Sequence, residues 1–481
     1  MTTVPCRGSD FLQLDPSTAP RGGLTAWLTR TIRDAIVDGR LGPGTPVPST
    51  RRLADDLGVS RGVVVEAFQQ LTSEGLLGAR QGSGTAVLAH APACPADRSR
   101  GDHRSWPGGR SETLRRSIGD LSAEVDLVPE LVDAQAFPRE AWLRAERRAL
   151  RTAAALHLDD VGGSEPLRRA VAGWLNRQRA MAIMAADVVI VTGVTQAVAL
   201  LARALVEDGH RRIGVENPGH SRSAAALGPH GLRPVPVPVD GQGVSAEALR
   251  RHGLRLVLAT PAHQFPTGVA LSPERRAELL DWAADVDGLV IEDDRDAELR
   301  YERGPVPPLQ PRAPERVAYV GGVPPSIASG LPLGWLVPPP HLQQAVLCAK
   351  RSADAGMPAL VQLALAELME SGGYDRHLRS VRGRHRTRRD VLLAALSERL
   401  PSAQVAGFAG GVHLAVTFPR LALDDVHLAE RLARRGVRTH PLSWHHLGAR
   451  HPGLVLGYAA AAPEQLPRAV SAIADAVAEL S

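Results

Sequence analysis

Between Val188 and Val337 one pattern recurs and limits the possible folds more than any other: short apolar runs alternate with stretches of helical spacing. The runs are Val188 to Thr192, Arg212 to Val215, Leu256 to Ala259, Leu289 to Glu292, Val317 to Val320 and Leu333 to Val337. Apolar runs of four or five residues, alternating with helix-length segments, build a mostly parallel sheet covered by helices, so an α/β class is predicted. From Arg379 onward, helices and strands such as Val412 to Thr417 and Leu454 to Tyr458 predict a smaller α+β lobe. No internal repeat interrupts this order.

The start of the chain has a different character. Leu24, Trp27, Leu28, Ile32, Ala35 and Ile36 follow a helical period, and the Gly39 to Gly44 run ends that helix. Ser49 is placed to cap a second helix, Gly58 and Val59 to make a tight turn, and Ser60 to cap a third helix carrying Val64, Ala67, Phe68 and Leu71. Leu76 to Val87 alternates around Gly82, Ser83 and Gly84, which suits a two-stranded wing. This is the layout of a winged helix-turn-helix, whose last helix enters the DNA major groove. Residues 89–116 are rich in Pro, Gly, Ser, Arg and Asp and read as a flexible linker. The predicted organisation is a DNA-binding domain at 20–88, the linker at 89–116, a large domain at 117–378 and a small lobe at 379–481.

Composition narrows the functional classes. The 481 residues carry a formal charge of +5, which permits a nucleic-acid partner without requiring one. The segment Met1 to Leu88 is nearly balanced, with nine arginines and eight acids, so binding there depends on a local arginine cluster rather than on overall charge. Cys6, Cys94 and Cys348 are too scattered for a disulfide framework or a zinc site of ordinary spacing, and are expected to be reduced, structural thiols. His440, His445, His446 and His451 cluster without a carboxylate or cysteine to complete a metal set, so no metal is expected. No apolar run spans a membrane and no leader is evident, which predicts a cytoplasmic protein.

The segment Pro48-Ser49-Thr50-Arg51-Arg52-Leu53-Ala54 followed by Leu57-Gly58-Val59-Ser60-Arg61 closely resembles the GntR family of bacterial transcription factors. The resemblance implies that Ser49, Arg51, Ser60, Arg61, Gly62 and Val63 meet DNA, with Gln81 and Gly82 at the wing tip. Where the family often has a polar pair after the arginine, this chain has Gly62 and Val63. Hydroxyl and N–H groups at a helix start suit phosphate oxygens, and arginine is the commonest bidentate partner of guanine.

The winged helix stands together with Asp160-Val161-Gly162-Gly163, Gly193-Val194-Thr195-Gln196, Glu216-Asn217-Pro218-Gly219, Thr260-Pro261-Ala262-His263-Gln264-Phe265-Pro266-Thr267-Gly268 and Ile291-Glu292-Asp293-Asp294. This ordered set resembles the MocR subfamily, which joins a GntR reader to a fold-type-I aminotransferase-like body. Such bodies hold pyridoxal phosphate as a Schiff base on a lysine, pair the pyridine nitrogen with an aspartate and stack an aromatic ring on the cofactor. The resemblance assigns Asp293 to the nitrogen, His220 to the stacking position usually held by tyrosine, and Gln196 to the phosphate turn. It places Pro325 at the lysine position, Pro324 at a serine and Pro332 at an arginine that normally help bind the phosphate. Of the 56 basic residues only Lys350 is a lysine, and it falls in a segment predicted to be helical.

The expectation is therefore a DNA-binding transcriptional regulator whose body dimerises and senses a small-molecule effector, with no covalent cofactor and no transamination. Two alternatives stay open: non-covalent pyridoxal phosphate binding through Asp293, His220 and Gln196, and a working aminotransferase fused to a DNA reader. Asp293 could equally be a strand-end carboxylate ion-paired near Arg295. The basic run Arg379, Arg382, Arg384, Arg386, Arg388 and Arg389 is expected on a solvated helix face, with contact to DNA phosphates as the alternative.

Overall fold

The structure is a computed structural model describing residues 11–20, 22–80, 84–88, 123–129, 131, 133–152, 160–294, 297–301, 306–323, 330–354, 356–407, 410–419, 424–447 and 452–480. The chain divides into two compact units, Met1–Pro107 and Gly108–Ser481.

In the first unit α1 (Leu24–Val37), α2 (Thr50–Leu57) and α3 (Arg61–Ser73) precede β1 (Leu77–Arg80) and β2 (Gly84–Val87), which pair antiparallel. Leu28, Ile32, Ile36, Leu53, Val64, Phe68 and Leu71 close one apolar core, so the helical spacing in the sequence is the packing face of each helix. Gly58 ends α2 at φ +63°, a left-handed conformation that glycine adopts without strain. Residues 44–47 lie against β2: Gly44 N–H donates to Val87 O and Val47 N–H to Thr85 O.

The second unit is a three-layer α/β/α body with a small lobe. Its main sheet has the order β4-β11-β10-β9-β8-β5-β6-β7. These strands are β4 (Val189–Val191), β5 (Arg212–Asn217), β6 (Arg233–Asp240), β7 (Gly243–Val244), β8 (Leu256–Ala259), β9 (Leu289–Asp293), β10 (Val317–Gly322) and β11 (Gly334–Val337). Strands β10, β9, β8, β5 and β6 run parallel; β11 is antiparallel to both its neighbours. Ile213, Leu258, Ile291 and Val320 pack on one face beneath the helices Val194–Glu207 and Pro340–Ala353. Val257, Val290 and Val317 pack on the other beneath Pro273–Asp285. Side chains in a strand alternate between faces, so both faces had to be apolar, and the runs in the sequence are continuous for that reason.

The sequence did not announce β6. Its Arg-Pro-Val-Pro-Val-Pro-Val-Asp pattern places a proline at every second position, which argues against a strand. The geometry resolves this. Arg233 N–H donates to Arg211 O, so the odd-numbered N–H groups face β5, and Pro234, Pro236 and Pro238 occupy positions whose N–H would point away from it. At the far edge, Ile190 N–H donates to Gly162 O. A Cβ on Gly163, at φ +93°, would sit 2.5 Å from Ile190 Cβ, so the glycine pair lets this segment cover the edge strand.

Beside the parallel pair β3 (Val125–Asp126) and β14 (Val437–Arg438), β12 (Gln404–Ala406), β13 (His413–Thr417), β15 (His440–Pro441) and β16 (Gly453–Gly457) form the antiparallel sheet of the small lobe. It packs on the helices Asp425–Arg434 and Leu466–Leu480 and on the later part of Gly373–Arg399. Two expectations need correction. The basic run is not one solvated face: Arg388 and Arg389 are buried, Arg388 paired with Asp133 at 2.8 Å and Arg389 stacked over the Tyr301 ring at 4.9 Å. Cys348 is exposed rather than structural.

Candidate DNA-reading face and aminotransferase-like site

On the first unit, Ser49 and Ser60 hold equivalent places at the starts of α2 and α3, but their hydroxyls do different things. Ser49 Oγ accepts from Arg52 N–H at 3.3 Å and caps its helix. Ser60 has the extended backbone of a cap residue without a side-chain capping bond, which corrects the expected role of its hydroxyl. Ser49, Arg51, Ser60, Arg61 and Gly62 are exposed; Val63 is half-buried and packs against the core. A Cβ on Gly62 would meet nothing nearer than Ser60 Oγ at 3.8 Å, so open space lies above it. The face thus offers two arginines, one hydroxyl and uncovered backbone at the start of α3. Gln81 and Gly82 lie outside the described residues.

In the second unit the candidate site lies at the carboxyl ends of β5, β8 and β9, where ligands of open α/β sheets bind. Two acids end β9 and a third, Asp294, follows directly, the three alternating between faces. Glu292 is buried, accepts from the N–H groups of Leu309 (2.8 Å) and Gln310 (3.1 Å), and is pushed up to about 8 by burial and by Asp294. Asp294 accepts from Arg179 Nε at 2.9 Å and Nη2 at 2.7 Å, and from the Tyr319 hydroxyl at 2.8 Å. Both members of this ion pair are buried, and it ties the end of helix Glu165–Arg179 to the sheet. Asp293, with the residue parity of Leu289 and Ile291, lies on the face covered by Val194–Glu207. The buried ion pair with Arg179 is made by Asp294, the neighbour of Asp293; the pairing of Asp293 near Arg295 involves a residue outside the described ones.

Glu216, at the end of β5, accepts from Thr260 N–H at 3.1 Å, from the Thr260 hydroxyl and from Gln264 Nε2 at 3.3 Å. Burial pushes its carboxyl up to about 7, and the nearby Asp293 charge adds to the rise. Gln264 also donates to Pro218 O at 2.8 Å and accepts from the Thr267 hydroxyl at 2.6 Å. The Thr260 to Gly268 motif therefore joins the ends of β5 and β8 through one buried amide.

His220 stands against Phe265, with ring centroids 5.1 Å apart. Phe265 also meets His413 at 4.7 Å and His445 at 4.9 Å, both from the small lobe. His413 Nε2–H donates to Pro266 O at 3.1 Å. Burial pulls His413 down to about 4, and burial with the neighbouring His413 pulls His263 down to about 3, so both imidazoles are neutral near pH 7. Asn217 and Leu447 exchange two hydrogen bonds, at 2.8 and 3.1 Å, across the same seam. The sequence singled out His220, the His263 to Phe265 motif and His445 separately but gave no signal that they meet, nor any for His413, because the members come from four separate segments. Among the described residues no group of three or more His, Cys, Asp or Glu is placed to hold a metal.

Gln196, assigned to the phosphate turn, has both ends of its amide engaged. Its Oε1 accepts from Thr192 N–H at 2.8 Å and its Nε2 donates to Asp354 at 2.7 Å. The same Asp354 oxygen accepts from Lys350 Nζ at 2.6 Å, and the Lys350 side chain is fully buried. The chain's one lysine is thus part of a structural network. Pro324, Pro325 and Arg295 lie outside the described residues.

A winged helix-turn-helix joined to a fold-type-I aminotransferase body defines the class: a transcriptional regulator built on an enzyme scaffold. Residues 25–87 match the model of bacterial regulatory proteins of the gntR family, and residues 130–473 match aminotransferase class I and II. The chain belongs to the MocR/GntR family of helix-turn-helix transcriptional regulators with an aminotransferase-like domain. It is 34% identical to the pyridoxine biosynthesis transcriptional regulator PdxR of Corynebacterium glutamicum, over 94% of this chain and 95% of that one. With the probable rhizopine catabolism regulatory protein MocR of Rhizobium meliloti it shares 31% identity, over 93% and 92%. A multiple substrate aminotransferase from Thermococcus profundus superposes with a TM-score of 0.70 at 27% identity, covering 77% of this chain and 94% of that one. GntR-type regulators bind DNA operators, and the aminotransferase fold normally binds pyridoxal phosphate. Among the described residues, no helix is long and apolar enough to cross a membrane.

Proposed function

We propose that this chain is a sequence-specific DNA-binding regulator that acts as a homodimer, responds to a small-molecule effector and does not transaminate. The observation that carries the DNA reading is the pair of adjacent helix starts presenting exposed Arg51 and Arg61, with the Ser60 hydroxyl not spent on capping. In this reading the Ser60 hydroxyl and the Gly62 N–H take a phosphate with Val63 beside them, Arg61 takes a guanine edge, Ser49 and Arg51 flank the backbone, and Gln81 and Gly82 touch it from the wing. Two readers, each on its linker at 89–116, would engage paired half-sites, and the linkage raises affinity without any new contact.

The body's chemistry follows from its donors. Asp293 and His220 fit the nitrogen and face of a pyridine ring, which supports non-covalent binding of pyridoxal phosphate. Bound there through a protein amine, pyridoxal phosphate would supply an electron sink for carbanions. The residues do not fit an aldimine: Pro325 has no amine, Lys350 is buried against Asp354, and the Gln196 amide is occupied. No catalytic step is assigned.

The test is a gel shift at fixed salt on a duplex footprinted upstream of the protein's own gene. Arg61→Ala should lose specific binding, by about 1–3 kcal/mol for each half-site, while sedimentation shows an unchanged assembly. Unaltered operator affinity would refute the assignment.

A further inference from the structure

The outward row of α3 continues beyond Arg61. Positions 61, 65 and 69 are spaced by four and share one face of the helix, and Arg61 and Gln69 are exposed. Val64, Ala67, Phe68 and Leu71 belong to the core, whereas Val65 is half-buried and is not a member of that cluster. Glu66, the acid beside it, is drawn toward α1 by the Thr25 hydroxyl at 3.4 Å. A β-branched apolar side chain thus stands between two polar residues on the presented face.

We infer that Val65 is a specificity-determining residue that reads the C5-methyl group of a thymine in each operator half-site. The inference rests on the DNA-reading assignment above and deepens it. Among the four bases, thymine alone offers an apolar group on the major-groove edge. Valine has no polar atom with which to choose any other base. Its side chain is short, so it reaches a base edge only where the helix lies deep in the groove. Gly62, with open space where a Cβ would be, lets the start of α3 approach that closely. Four helical residues rise about 6 Å, close to two base-pair steps of about 3.4 Å each. The thymine therefore lies about two steps from the guanine contacted by Arg61.

The test uses the full-length protein and a duplex enriched from a random library at fixed salt. Each thymine is replaced in turn by deoxyuridine, which lacks only the methyl group. One position per half-site should weaken wild-type binding about fourfold, the value of burying one methyl-sized apolar group. Val65→Ala, which loses the contact at both half-sites, should bind the thymine duplex about sixteenfold more weakly than wild type and no longer distinguish deoxyuridine, whereas Val65→Thr, which keeps one methyl, should retain part of the discrimination. A thermal melt matching wild type shows that the variants are folded. If the wild type enriches a duplex but no thymine is methyl-sensitive, or if Val65→Ala still discriminates, the Val65 inference falls while the DNA reading stands. If no duplex is enriched, both fall.

Discussion

Replacing Arg179 by methionine tests whether the buried ion pair at the end of β9 holds the site together. Arg179 gives two hydrogen bonds to Asp294, and both side chains are buried. The variant would leave Asp294 with the Tyr319 hydroxyl and no hydrogen-bonded counter-charge, Arg276 acting on it only at longer range. Stranding one charge of a buried pair costs about 3–5 kcal/mol. With an unfolding entropy of about 2.1 cal/mol/K per residue over the unit Gly108–Ser481, that is a drop in Tm of about 4–6 °C. The loss depends on pH. Burial already holds the Asp294 carboxyl above its ordinary value of 3.8, and without Arg179 it rises further. A carboxyl raised in the folded state supports stability below its unfolded pKa and withdraws that support as pH climbs through the folded value. The deficit should therefore be smaller at pH 5 than at pH 8. Adding Asp294→Asn, which keeps an acceptor for Tyr319 without the charge, should recover about 2 kcal/mol at pH 8 and remove most of the pH dependence. Calorimetry on the three proteins at both pH values decides it. A shift under about 1 °C, or a double variant worse than Arg179→Met, would refute the reasoning.

Further outcomes follow from the same site. Glu216, at about 7 in the fold against 4.5 in the unfolded chain, should make wild type lose stability relative to Glu216→Gln as pH rises from 4.5 to 7, by up to about 3 kcal/mol, with little change above pH 8; paired melts across that range measure it. His263 and His413, at about 3 and 4, carry the opposite sign, so His413→Asn should be less sensitive than wild type as pH falls from 6.5 toward 4, again read from paired melts. Pyridoxal phosphate followed by borohydride should leave the Lys350 peptide unmodified in the native protein, whereas labelling of that peptide by mass spectrometry would restore the covalent reading.

Much of the body could be read from the sequence because its parallel strands are buried on both faces and appear as unbroken apolar runs; Leu256–Ala259 and Leu289–Ile291 are examples. Strand β6 escaped because strand geometry hides prolines that a one-dimensional pattern counts as breakers. Asp293 was legible as a strand-end acid, but its division of labour with Asp294 was not: the partner Arg179 lies 115 residues away, and nothing local indicates the pairing. Gln196 matched a motif by position, while its engagement with Asp354 depends on a helix 158 residues further on. Ser60 looked like Ser49 as a letter in a cap position, and the two hydroxyls differ only in three dimensions.

The prolines of β6 have a further consequence. Along the proline stretch of its outer border, the large sheet has no N–H donor at the outward positions 234, 236 and 238, while Gly162 occupies a donor on the opposite border. Neither margin can serve as a template for continuous intermolecular stacking. Association of copies by extension of this large sheet is thereby disfavoured, and so is its recruitment into fibrils when the fold opens in part.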